Sequence, residues 1–356
     1  MRVGELGEHE LLARIRQELA ELERECRAGA DSETRSALVA GIGEDCAVVR
    51  CAPGAEWLLE TDQAVEGVHF RLDWLAPEQV GGRLAVQGLS DIAAMAGWPR
   101  YVLVALAVPA AAEAEVVVGI MRGVARRCAQ YGALVVGGDL SGSPAGIRAT
   151  IAVFGEVEPG AAIRRGGAQA GDVLYATGRP GLARAGWLWL GRAGRGRGGL
   201  EPAEQRAGLQ QALAHFYEPR PRLEEARFLA RRAHIHAMID LSDGLAGDAA
   251  RLAEASGLAA VLEAEGVLAD PSLPALASLL GLSPAELVLA GGDDFELLFA
   301  APAAAVERIR PEFEQRFALP LRRVGRLEPG AGVWWEPAPG GERAPVPARS
   351  YEHFRA

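Results

Sequence analysis

The chain has 356 residues and contains neither lysine nor asparagine; all 37 of its basic residues are arginine. Several chemistries are closed to it for that reason. A Walker-type phosphate loop needs its lysine on the phosphates. A Schiff base to a carbonyl or to pyridoxal phosphate needs a lysine amine. The usual protein-kinase apparatus needs a strand lysine on the phosphates. A compositional bias toward Ala, Gly and Arg accounts for the missing residues, and the exclusions hold whatever the cause.

Cysteine is also scarce. The four present, Cys26, Cys46, Cys51 and Cys128, form no CxxC pair and no dense framework. That fits free thiols in a reducing, cytoplasmic setting. No base or cation stands beside Cys46 to generate a thiolate, so it is read as a small buried residue. The longest apolar run, residues 101–112, is too short to span a bilayer. The Met-Arg start leads into Glu-rich sequence, not into the apolar core of a signal peptide. Positive charge is in deficit, with 47 acidic residues against 37 basic and a net charge of −10. Nucleic acid and anionic membranes attract basic surfaces, so neither is expected as a partner.

Periodicity organises what is there. Leu11, Leu12, Ile15, Leu19 and Leu22 predict an amphipathic helix over 8–28. Short strands are expected at 47–50 and 56–60, a helix at 77–96 and a buried strand at 101–108. A helix at 113–131 follows, then a strand at 133–136 ending in a Gly137-Gly138 turn, and a strand at 147–157. This alternation predicts a mixed α/β domain over 1–158. A second α/β domain is expected over 159–356. Its strands are predicted at 173–177, 259–262 and 295–300, and its helices at 181–190, 203–215, 222–233 and 244–256. His234 and His236 are read as alternating in a strand. The Gly/Arg-rich stretch 191–199 reads as a surface loop, and the Pro/Gly-rich tail 328–348 as a wrap without regular elements.

The informative pattern is a set of aspartates placed at turns beside apolar strands. They lie in 41–45 (G-I-G-E-D), 60–62 (E-T-D), 89–91 (L-S-D), 137–139 (G-G-D), 240–244 (D-L-S-D-G) and 291–294 (G-G-D-D). An Asp after Gly or before a helix is by itself an ordinary turn former or N-cap. Repeated through one chain, the pattern points to hard cations. Mg²⁺ takes carboxylate and phosphate oxygens, and carboxylates gathered in one place repel unless cations sit between them. Adjacent glycines let backbone N–H groups approach phosphate. Residues 41–46 are not a dinucleotide fingerprint, because the third glycine is missing. The residues alone therefore suggest a site for several Mg²⁺ ions and a nucleotide, built on loops of an α/β sheet.

Taken together, these segments resemble the thiamine-monophosphate kinases of the aminoimidazole-ribonucleotide synthetase-like superfamily. The matching stretches are 41–46, 61–70 (T-D-Q-A-V-E-G-V-H-F), 82–96, 137–139, 166–172, 240–245 (D-L-S-D-G-L) and 291–298 (G-G-D-D-F-E-L-L), in family order. The resemblance implies ATP-dependent phosphorylation of thiamine monophosphate to thiamine diphosphate. It implies an N-terminal α/β domain that binds ATP and Mg²⁺ and forms a homodimer, with a C-terminal α/β domain closing over the site. By motif position, Asp45, Thr61, Asp62, Asp91, Asp139, Asp240 and Asp243 are expected to hold Mg²⁺. Gly138, Asp139, Arg165 and Ser242 are expected at ATP. His69, Asp293 and Tyr351 are expected at the substrate.

The chain departs from the family pattern in places. Glu60 stands where Ser or Thr is common, Glu44 where Asp is frequent, and Gly88 where Asn is common. Asp293 stands where Glu is usual, and Arg164 competes with Arg165 for one role. The implied chemistry needs no general base, because the attacking group is a phosphate already anionic at neutral pH. Positioning and charge neutralisation carry such a transfer. Two other readings stand beside this one: another ATP-dependent enzyme of the superfamily, or a nucleotide- and metal-binding scaffold without activity.

Overall fold

A computed structural model of the chain describes residues 1–25, 32–40, 46–50, 52–193, 203–348 and 350. The chain divides into two compact units, Met1–Ile92 with Gly97–Ala162, and Ala93–Ala96 with Ile163–Ala356.

The first unit contains α1 (Val3–Leu6), α2 (Glu8–Glu25), α3 (Ser32–Ala37), β1 (Leu38–Ala40), β2 (Val48–Val49), β3 (Glu56–Val65), α4 (Pro77–Ala94), β4 (Trp98–Val108), α5 (Ala114–Gln130), β5 (Leu134–Gly142) and β6 (Arg148–Val157). Four strands form one sheet in the order β3-β6-β4-β5, with β4 and β5 parallel and the other pairs antiparallel. Side chains alternate across a strand, and burial follows that period. Leu58, Ala64, Ile151, Val153, Val102 and Val104 are buried on one face, against which α4 lays Ile92 beside Gly155. On the other face Trp57, Leu103 and Phe154 are half-buried and Leu59 is 68% exposed. A cavity of about 600 Å³ opens among Trp57, Leu103, Phe154, Val136 and the α2 residues Ile15 and Leu19. Cys46 also lines it and is exposed, not buried as expected.

The second unit contains β7 (Val173–Thr177), α6 (Leu182–Ala193), α7 (Ala203–Tyr217), α8 (Leu223–Arg232), β8 (Ala237–Asp240), α9 (Leu245–Ala255), β9 (Leu258–Glu263), α10 (Ala264–Val267), α11 (Leu273–Leu280), α12 (Pro284–Leu289), β10 (Leu297–Ala301), α13 (Ala303–Phe317), β11 (Leu321–Pro329), β12 (Val333–Glu336) and β13 (Ala344–Pro345). Its sheet has seven strands in the order β13-β12-β9-β11-β7-β10-β8. Every residue of β7 and β10 is buried, as expected of strands covered on both faces. Leu174, Ala176, Leu298 and Ala300 pack into a core with Leu182, Leu245, Leu252 and Leu276 from α6, α9 and α11. Tyr175 and Phe299 point the other way and stack at 5.6 Å; on that side Tyr175 donates its hydroxyl to Glu307 of α13.

The tail differs from expectation: 328–348 supplies the end of β11 and two further strands, and Trp335 is buried. Alternating Trp334-Trp335 makes β12 a strand once β9 offers it an edge. His234 and His236 precede β8 instead of lying in a strand. His234 is exposed and His236 is held by the Asp172 carboxylate at 2.8 Å. The Gly/Arg-rich stretch lies outside the described residues from position 194 onward.

Candidate functional site

Among the described residues of the first unit, the predicted acidic positions sit inside regular elements, not at turns. Thr61 and Asp62 belong to β3, Asp91 to α4 and Asp139 to β5. Consecutive strand residues face opposite ways, so Thr61 is on the exposed face and Asp62 on the face shared with α4. Thr61 donates its hydroxyl to the Ile151 carbonyl at 3.0 Å. Asp62 accepts from the Gln63 backbone N–H at 2.7 Å and from the Gln87 amide at 3.3 Å. Asp91 lies one turn beyond Gln87 on the same side of α4. Asp62 and Asp91 therefore lie toward the α4 side at one edge of the sheet, whereas Thr61, on the same edge strand, faces the other way.

Asp139 is not at that edge. Asp62 pairs across to Ile151, Ile151 to Val104 and Val104 to Gly138, the neighbour of Asp139. Three strand spacings of roughly 4.8 Å put Asp62 and Asp139 about 14 Å apart, at opposite sheet edges. One ion within this sheet cannot touch both. The expected Gly137-Gly138 turn is also corrected, since β5 runs straight through it. Gly138 is glycine there because a β-carbon would overlap the Val104 carbonyl of the parallel strand.

His69 closes the loop after β3. Its Nδ1 accepts the Val65 backbone N–H at 3.0 Å, which fixes the neutral tautomer with the proton on Nε2. Glu66 braces the same loop by accepting from Ile147 N–H at 2.8 Å. Arg164 and Arg165 are both exposed, and the Arg164 carbonyl accepts from Met238. Asp45 and Tyr351 lie outside the described residues. Ser350, just before Tyr351, accepts the Gly247 N–H at 2.6 Å and donates to the Leu289 carbonyl.

The second unit brings its predicted residues together. β8 ends on Asp240, and the following loop pairs with the loop that precedes β10. Leu241 N–H donates to Glu296 O at 2.7 Å, Asp293 N–H to Ser242 O at 2.9 Å and Phe295 N–H to Leu241 O at 2.9 Å. Asp240, Ser242, Asp243 and Asp293 thus share one junction. The backbone there is strained: Asp293 has φ 60° and Phe295 φ 50°. A bulky residue rarely adopts that region, and such strain costs about 1–3 kcal/mol.

The supports of this junction were not anticipated. Asp248 is fully buried, and its Oδ2 accepts the N–H groups of Ser242 and Asp243 at 3.2 Å each. Arg251 donates to Asp248 Oδ1 at 2.5 Å and to Asp243 Oδ2. Burial, then the charge of Asp240, pushes the Asp248 carboxyl up to about 7. Asp294 is buried and accepts from Gly181 N–H at 2.7 Å and Ala183 N–H at 3.2 Å at the start of α6. Burial pushes it up to about 7 as well. Burial alone would raise Glu296, but Arg222 and Thr177 outweigh it and hold the carboxyl below its ordinary range. Arg222 binds Glu296 with two bonds of 2.8 and 2.6 Å, and Thr177 donates to it at 2.7 Å. One signal was legible. Leu245, Asp248, Ala249 and Leu252 repeat at helical spacing, and an Asp on an apolar stripe needs a reason to be there.

The donors present are carboxylates and a hydroxyl, which suit a hard cation. Arg251 already places a cationic group across Asp243 and Asp248. Among the described residues, no group of three or more His, Cys, Asp or Glu stands close enough to hold one ion.

Residues 43–157 match the family described as AIR synthase related protein, N-terminal domain, and residues 169–334 match AIR synthase related protein, C-terminal domain. The thiamine-monophosphate kinase of Synechococcus elongatus is 36% identical over 263 residues, 72% of this chain and 75% of that protein. The chain belongs to the thiamine-monophosphate kinase family. Another member, from Corynebacterium glutamicum, is 32% identical over 299 residues, 83% of this chain and 82% of its own. The solved structure of AaThiL complexed with AMPPCP and TMP has a TM-score of 0.72 and 29% identity to this chain, covering 99% of both. The family thus accounts for both units and for the motif order.

Proposed function

We infer that this chain transfers the terminal phosphoryl group of ATP to thiamine monophosphate, forming thiamine diphosphate. The observation that carries the reading is the full-length likeness to a relative complexed with AMPPCP and TMP. The missing lysine leaves charge neutralisation to arginine and metal. The transfer is in line between two phosphates and uses no general base.

Asp45, Thr61, Asp62, Asp91, Asp139, Asp240 and Asp243 would hold several Mg²⁺ ions. Bound Mg²⁺ would neutralise the facing phosphates and orient them. Gly138 brings backbone close to phosphate, and Ser242 and Arg165 add polar contacts to ATP. His69 presents Nε2–H as a donor to the substrate phosphate, with Asp293 and Tyr351 at the remainder of thiamine monophosphate. The half-exposed apolar sheet face carrying Trp57, Leu59 and Phe154 is the surface of a homodimer, since exposed apolar patches mark contact sites. The enzyme works in the cytoplasm.

The test is turnover. Purified chain with ATP and Mg²⁺ converts thiamine monophosphate to the diphosphate, read by chromatography. No product at any Mg²⁺ concentration sinks the reading. ADP release only with formylglycinamidine ribonucleotide would move the chain to the synthetase branch. ATP binding without turnover on any substrate would make it a scaffold.

A further inference from the structure

The Asp243–Arg251–Asp248 bridge is arranged differently from a surface ion pair. Asp248 is fully buried, whereas Arg251 is 41% exposed and Asp243 28% exposed. One guanidinium therefore spans a fixed carboxylate and an accessible one. The fixed carboxylate does a second task. Its Oδ2 holds the backbone N–H groups of Ser242 and Asp243, while Oδ1 takes Arg251. The α9 helix sets this geometry, because Asp248 and Arg251 are one turn apart and lie beneath the loop that α9 follows. A buried carboxylate released from its partner is costly. Arg251 is thus anchored through Asp248, and its second arm alone is free to leave.

We propose that Arg251 is a tethered counter-ion that occupies Asp243 before a divalent cation arrives, and that Asp248 is the positioning residue that sets how firmly it does so. This rests on the reading that Asp240 and Asp243 take a divalent cation. When the cation binds, Arg251 releases Asp243 Oδ2 and keeps Asp248 Oδ1. The buried carboxylate stays paired throughout, and the loop backbone does not move. The device keeps Asp240, Asp243 and Asp248 from repelling one another in the metal-free protein, and it sets a threshold on metal affinity.

The two partners give opposite expectations, which a simple loop-bracing role would not. Binding of Mn²⁺, which takes the same oxygen ligands as Mg²⁺, is measured on the full chain without nucleotide by electron paramagnetic resonance. Arg251→Gln removes the competitor and tightens Mn²⁺ binding about fivefold, the equivalent of an ion pair worth about 1 kcal/mol. Asp248→Asn keeps an acceptor for the loop N–H groups but leaves Arg251 with Asp243 as its only carboxylate, so Mn²⁺ binding weakens. Circular dichroism melts confirm that both variants are folded. Unchanged or weaker Mn²⁺ binding in Arg251→Gln overturns the proposal, as does tighter binding in Asp248→Asn. If the unsubstituted chain binds no Mn²⁺, the metal reading falls and the proposal with it. If it binds and Arg251→Gln does not tighten, the proposal alone falls.

Discussion

Gly88 on α4 and Glu60 on β3 are matched by size. A β-carbon built on Gly88 would overlap Glu60 Oε1 and come within 2.6 Å of Val153 Cγ2. Glycine at 88 leaves the room that the Glu60 side chain occupies.

The pair yields a stability prediction. Gly88→Ala forces the added methyl into Val153 and Glu60, and overpacking of this kind costs about 1–3 kcal/mol. Combining a residue at 88 with Glu60→Thr recovers part of the loss. Denaturant melts of the two singles and the double variant measure the coupling. Strict additivity would show that the two sites do not share space.

The buried Arg222–Glu296 pair supports the strained loop at Asp293 and Phe295. Arg222→Ala leaves the fully buried Glu296 carboxylate without its two-pronged partner, at a cost of about 3–5 kcal/mol. Chemical denaturation reads this directly. A loss below about 1 kcal/mol would mean that Thr177 alone satisfies the group.

Stability also depends on pH through Asp294. Its carboxyl rises from 3.8 to about 7 in the folded chain, chiefly through burial. The folded state therefore holds a proton that the unfolded state gives up. The stabilising effect is complete below pH 4 and is lost as pH rises through 7. The span is on the order of 2–4 kcal/mol. Asp294→Asn cannot ionise, so its melting temperature, set against that of the unsubstituted chain, gains ground from pH 5 to pH 8. Parallel pH profiles would show that Asp294 is already ionised.

Removing a carboxylate from the first unit acts on turnover. Asp91→Asn lowers kcat by about 10²–10³-fold, or about 2.7–4 kcal/mol, by analogy with other groups that stabilise charge in a transition state. Its melting temperature stays near that of the unsubstituted chain. Activity within threefold of normal would remove Asp91 from the metal set.

His69→Ala separates the substrates. Loss of the Nε2–H donor raises KM for thiamine monophosphate about tenfold, as expected for about 1.4 kcal/mol of lost hydrogen bonding to a charged group. KM for ATP is unchanged. Equal effects on both constants would place His69 in the scaffold of the loop.

Much of the fold was legible from local pattern. The 3.6-residue stripe of Leu11, Ile15, Leu19 and Leu22 became α2, and the strand expected at 147–157 became β6. What was missed needed a partner to exist. β12 is a strand because β9 offers an edge, and Gly137-Gly138 is a strand because β4 runs parallel beside it. For the site, the donor types and their motifs could be read, but the locations could not. Asp62 and Asp139 look equivalent as Asp-bearing motifs, yet strand order sends them to opposite edges.

The sequence by itself determined the chemistry available: no ammonium group, a surplus of carboxylates, and motifs whose order points to one family. Side-chain identity is local, so no fold is needed to know it. Tertiary structure alone decided which carboxylates meet, which one is buried, and which guanidinium stands between them. Asp248 looks like any helical aspartate until packing strips its water and turns it toward the loop. Distance and burial are properties of the folded chain, and they fix what a charge does.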